Sequence, residues 1–168
     1  DKIVVSLPII QKGLESITNE AEKETAVRSM LYHEVSHAIL TPIKIFDYIR
    51  GEEGRYVFNV FEDERIETVL NDYYMDVNFK QQLFNIMGEI PKVDVNDPRS
   101  VFYSVVRYRY GKKEWTDKVA ELIREYSQIN RNSNSEWEKP RGQRVDSYYY
   151  GIIDLWRQIK DDITDKFT

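Results

Sequence analysis

Over most of this chain the hydrophobic positions recur with helical period, not strand period. Ala26, Val27, Met30, Leu31, Ala38 and Ile39, with Val35 close by, predict a helix from about Glu22 to Leu40, which Pro42 stops just after Thr41. After a Gly51-Glu52-Glu53-Gly54 turn, a second helix is predicted from about Arg55 to Tyr74 on Phe58, Phe61, Ile66, Val69 and Leu70. A third runs from Asn78 to Ile90 before Pro91. Asp97-Pro98 opens another, through Val101, Phe102, Val105, Val106 and Tyr110, closed by Gly111. Trp115 to Ile129 repeats apolar positions at Val119, Leu122, Ile123 and Tyr126, and a last helix is expected from about Val145 to Lys166.

Two stretches break the period. Lys2 to Ile10 is β-branched and holds Pro8, which reads as one short edge strand able to pair with an extended peptide. Asn130 to Gln143 is a polar, turn-rich loop, long enough to act as a lid. The implied fold class is mainly α (α+β), with a small N-terminal β element, in one domain spanning 1–168. The chain begins at Asp1 instead of Met, which fits a piece of a longer natural chain.

Composition narrows the chemistry. With 168 residues, 41% hydrophobic and 32% charged, the chain can bury a real core. Its net charge of −5 gives no basic field for a nucleic-acid backbone, so nucleic acid is not an expected partner. No apolar run is long enough for a bilayer and the first residues lack a signal-peptide pattern, so no membrane association is expected. There is no cysteine, which excludes disulfides, thiolate nucleophiles and Cys-ligated zinc, and leaves the compartment open with a lean toward the cytoplasm.

Against that background one stretch carries the chemistry. Leu31-Tyr32-His33-Glu34-Val35-Ser36-His37-Ala38-Ile39-Leu40 contains His-Glu-x-x-His within the first predicted helix, and the chain has only 2 histidines. Residues four apart share a helix face, so His33 and His37 can offer two imidazoles to one Zn2+ while Glu34 reaches its water. A third protein ligand is needed. No third histidine exists, and the longer His-Glu-x-x-His-x-x-Gly-x-x-His pattern fails at Leu40 and Ile43. A carboxylate is left, and the Glu62-Asp63 pair on the second predicted helix is where it is expected. Helical phase favours Glu62, which falls inside the apolar arc. Asp63 lies at the margin of that arc, and Glu67 follows it by four residues, where a further carboxylate can accept the other N–H of a ligand histidine. Both Glu62 and Asp63 stand as candidates.

Here the sequence resembles the gluzincin-type zinc peptidases, in which His-Glu-x-x-His is followed by Glu or Asp on a second helix. More narrowly, His37-Ala38-Ile39-Leu40-Thr41 followed by Asn59-x-x-Glu62-Asp63-x-Arg65-Ile66-Glu67 is similar to the metallopeptidase domains of phages and bacteria that accompany von Willebrand factor A-type modules. The similarity covers roughly residues 30 to 70. It implies a zincin-like fold, hydrolysis of a polypeptide substrate, and association with a von Willebrand factor A-type module; Glu is the usual third ligand among gluzincins.

The expected reaction is hydrolysis of a peptide bond by a zinc-bound water, with Glu34 as general base and then as proton donor to the leaving amine. Tyr73, Tyr74 or the Tyr148-Tyr149-Tyr150 run are candidates for a phenol that donates to the oxyanion. Arg65 is expected to pair with its acidic neighbours. The competing expectation is a zincin-fold module without catalysis that serves as a protein-interaction domain; a plain helical domain with an accidental motif is the third.

Overall fold

The computed structural model describes residues 14–15, 17–73 and 92–165. The expected edge strand at Lys2 to Ile10 and the expected helix from Asn78 to Ile90 lie outside these residues. The protein is mainly helical: α1 (Glu20–Leu40), α2 (Gly51–Tyr73), α3 (Pro98–Tyr108), α4 (Lys113–Glu125) and α5 (Val145–Asp165), with 3-10 turns at Ile43–Asp47 and Arg141–Gln143. No strand occurs among the described residues. The chain divides into two compact units, 1–40 with 66–91 and 41–65 with 92–168, and α2 runs unbroken through the division.

In the first unit, α1 begins where Asn19 accepts hydrogen bonds from the backbone N–H groups of Ala21 and Glu22, an N-cap that starts the helix two residues earlier than the hydrophobic pattern alone predicts. Its buried face is not the apolar one. Ala26, Ser29, Ser36 and Leu40 are buried and advance by three, four or seven residues, a stripe on which His33 also falls. Ser36 lives there by donating its hydroxyl to the Tyr32 carbonyl at 2.5 Å. The larger apolar residues Leu31, Tyr32, Val35 and Ile39 are exposed instead. Leu40, Ile66 and Val69 form the small core of this unit, so the end of α1 packs on the second half of α2.

The second unit holds the large core. The helices α3, α4 and α5 pack on one another, and Phe58, Phe61, Phe102, Leu122, Tyr148 and Ile152 are essentially fully buried. Local chemistry sets the helix ends. Asp97 caps α3 by accepting from Arg99 N–H with Pro98 at the first turn, and the chain leaves α3 through Arg109 in the left-handed region and Gly111 at φ +105°. The segment from Asn130 to Gln143 is tied down by its own short-range bonds: Asn130 and Asn134 side chains accept from Asn132 and Glu136 N–H, and Ser135 accepts from Asp146 N–H at the start of α5.

One turn expected from composition is absent. Gly51-Glu52-Glu53-Gly54 is the first turn of α2, entered through Gly51 at φ +69°. Gly54 is helical for a packing reason: a Cβ there would stand 2.5 Å from the Tyr149 hydroxyl. Gly54→Ala should therefore lose stability, by about 1–3 kcal/mol as overpacking usually costs, in spite of the better helix propensity of alanine. Urea unfolding of the two proteins measures the sign; a gain in stability on Gly54→Ala would contradict the close approach.

Candidate metal centre

Helix phase decides where each acid of α2 goes. Successive residues turn by about 100°, so Glu62 and Asp63 point to different faces while Asp63 and Glu67, four apart, stay on one.

Glu62 faces into the core of the second unit. It is 0% exposed, and four donors meet its two oxygens: Arg65 Nη2 at 2.6 Å and Thr41 Oγ1 at 2.8 Å on Oε1, Arg65 Nε at 2.8 Å and Tyr148 Oη at 2.6 Å on Oε2. The Arg65 guanidinium, equally buried, spends its remaining nitrogen on the carbonyls of Tyr126 at 3.2 Å and Ile129 at 3.0 Å. Burial works against its charge, but the Glu62 carboxylate more than offsets this and holds Arg65 above its ordinary pKa. Burial raises the Tyr148 phenol well above its usual range, and the charge of Glu62 adds to this while Arg65 opposes it. Arg65 thus pairs with an acidic neighbour as its sequence context predicts. Glu64 is also committed, its two oxygens 3.0 Å from Arg107 Nη1 and 3.2 Å from Arg109 Nη1.

The other face of α2 meets the histidine motif. The Oε1 of Glu67, a carboxylate only 2% exposed, lies 3.1 Å from His33 Nδ1. The distance is that of an ion pair but the geometry is not that of a hydrogen bond, and the carboxylate stands on the Nδ1 side of the ring. The His33 and His37 rings meet edge to face, 4.8 Å between centroids, as residues one turn apart on α1. Asp63, one turn before Glu67 on the same unbroken helix, completes a group: His33, His37 and Asp63 are all half-buried, and each offers a ligand atom within 4.8 Å of the others. Glu34, the next residue round the helix from His33, is exposed.

The residues present fit a divalent ion. Two imidazole nitrogens and one carboxylate oxygen converge, a second carboxylate stands beside one ring, and the half-buried donors leave an approach from solvent; this donor set suits zinc among the common ions. Of the two carboxylates considered as third ligand, the geometry gathers Asp63 with the histidines and commits Glu62 to Arg65, Thr41 and Tyr148. The misleading signal was the apolar arc, because Glu62 does lie inside it, but that arc faces a buried arginine. Of the phenols considered as oxyanion donors, Tyr148 is spent on Glu62, and Tyr74 and the Tyr73 side chain lie outside the described structure. Searches with family models, through curated proteins and through solved structures gave no match to this chain.

The two acids should separate by stability. Glu62→Gln leaves the Arg65 charge buried without its counter-ion and should cost about 3–5 kcal/mol, whereas half-buried Asp63→Asn should cost less than about 1 kcal/mol. Denaturant unfolding of the metal-free proteins reads both, and equal costs would contradict the division of roles. The raised phenol of Tyr148 adds a pH dependence. Its contribution is complete below the ordinary tyrosine pKa of about 10 and declines as pH rises beyond it, because the unfolded chain gives up that proton first. Stability above pH ~10 should fall less steeply in Tyr148→Phe than in the unaltered protein.

Proposed function

We propose that this protein is a zinc-dependent hydrolase of peptide bonds, with a zincin-like arrangement in which His33, His37 and Asp63 hold the ion. The observation that carries the reading is the convergence of one ligand atom each from His33, His37 and Asp63 within 4.8 Å, with a Glu67 carboxylate oxygen 3.1 Å from His33 Nδ1. When bound, such an ion acidifies water and polarises a carbonyl. Glu34 takes a proton at its carboxylate from the attacking water and returns it to the leaving amine, work for which an exposed carboxylate next to His33 is suited. Glu67 places a carboxylate beside the His33 ring.

The substrate class is polypeptide. Leu31, Val35 and Ile39 form an exposed apolar line along α1, four residues apart, beside the motif helix's histidine face. The same line is the observation that favours the second reading, a module of this fold that binds a protein without cleaving it. Catalysis by Glu34 separates the two.

Protein purified without added metal should contain close to one zinc per chain. His33→Ala and Asp63→Asn should lose it, Glu67→Ala should bind it about 10- to 100-fold more weakly, and folded Glu62→Gln should retain it. Glu34→Gln should keep the metal and lose about 10²–10⁴-fold in turnover of an unstructured polypeptide. Metal analysis beside a casein-type digestion assay tests these statements. An apo protein that takes up no zinc on titration would remove the enzyme reading, and a zinc protein without turnover would leave the binding module.

A further inference from the structure

We propose that the second unit carries a separate binding site for a small anion built on a planar ring, an aryl phosphate or aryl carboxylate. The site is a cavity of about 390 Å³ between the first turn of α2 and one face of α5. That volume suits a small molecule and is at the low end for ligand pockets.

Charge gives the first half of the argument. Arg50, Arg157 and Lys160 line the cavity against a single acid, Glu53, which pairs with Lys160 at 3.5 Å. The two guanidiniums are therefore in excess, in a chain whose net charge is −5. Arg50 donates to the Ile49 carbonyl at 3.1 Å with one nitrogen, and exposed Arg157 makes no hydrogen bond or ion pair with a described residue. Fork-shaped guanidiniums match carboxylate and phosphate oxygens. Glu53 and Gly54 bring the positive end of a 23-residue helix to the same wall.

Trp156 gives the independent half. It lines the cavity, is 3% exposed, and its buried indole Nε1 has no acceptor among the described residues. A buried donor without an acceptor is a rare and costly state, and the indole that carries it forms part of the cavity wall, so its N–H reports what enters there. The remaining wall is aromatic: the Tyr48 and Tyr150 rings meet edge to face at 6.1 Å, and Tyr149 lies 5.9 Å from Tyr150. Flat faces beside two guanidiniums accept a ring that carries the anion better than a bare anion.

The test is titration of the full chain, labelled with ¹⁵N, with phenyl phosphate and separately with benzoate, following the indole N–H resonance that disappears in Trp156→Phe. The Trp156 resonance should move and saturate with at least one probe, and the tighter of the two names the headgroup. Inorganic phosphate and phenol, the two halves of the first probe, should each bind about ten-fold more weakly, as should the better probe to Arg157→Ala and to Arg50→Ala. Both arginines are exposed, so these variants keep the fold, which circular dichroism checks. No movement with either probe, equal movement with phenol, or unchanged binding to both arginine variants would overturn the proposal.

Discussion

The buried pair of Glu62 and Arg65 is the constraint on which the rest of α2 depends. Two opposite charges with essentially no exposure lie three residues apart on one helix, and every polar atom of the carboxylate is met by Arg65, Thr41 or Tyr148. Removing one partner from such a pair costs several kcal/mol, a large part of the roughly 5–15 kcal/mol by which a domain is stable at all. Because Glu62 and Arg65 share one helix, it is their partners elsewhere in the unit, Thr41, Tyr148 and the carbonyls of Tyr126 and Ile129, that set which way this face of α2 points. Once Glu62 faces those partners, helical phase turns Asp63 and Glu67 away from them together. The acids that could serve a metal are defined by the acid that cannot.

The same logic explains why charge is so dense in this segment. Glu62 and Glu64 are neutralised by arginines from their own unit, Glu62 by Arg65 and Glu64 by Arg107 and Arg109. Asp63 and Glu67 lie beside histidines instead, Glu67 with its Oε1 3.1 Å from His33 Nδ1. That side therefore gathers two carboxylates and two imidazoles. A divalent cation held there, as proposed, would offset both negative charges, one of them on a carboxylate only 2% exposed.

Much of this was legible in the sequence, for identifiable reasons. The motif helix and its end at Leu40, the capped start of α3 at Asp97-Pro98, and the start of α5 at Val145 follow from periodicity and punctuation, which are local. Glu67 beside His33 follows from counting four residues on from Asp63. What local reading could not reach were the long-range partners. Arg65 receives its carbonyls from Tyr126 and Ile129, and Glu62 a phenol from Tyr148, each more than sixty residues away. Without those partners the apolar arc around Glu62 looks like a path to the metal. Gly54 misled in the same way: two glycines around two glutamates read as a turn until the Tyr149 hydroxyl, far along the chain, explains why one helical position has no side chain.

The face that α1 buries makes the last point about function. A helix that served only to fill a core would bury Leu31, Val35 and Ile39; this one exposes them and buries Ala26, Ser29 and Ser36 on the histidine stripe. Small residues there let the neighbouring backbone come close, which is what two imidazoles and a carboxylate from different helices need in order to reach a common point. Hydrophobic free energy has been given up along that face, at roughly 25 cal/mol for each Å² of apolar surface left in water. Packing among the described residues offers no return for that sacrifice, whereas the proposed function would give one on each face, a ligand site on the buried stripe and a polypeptide on the apolar one.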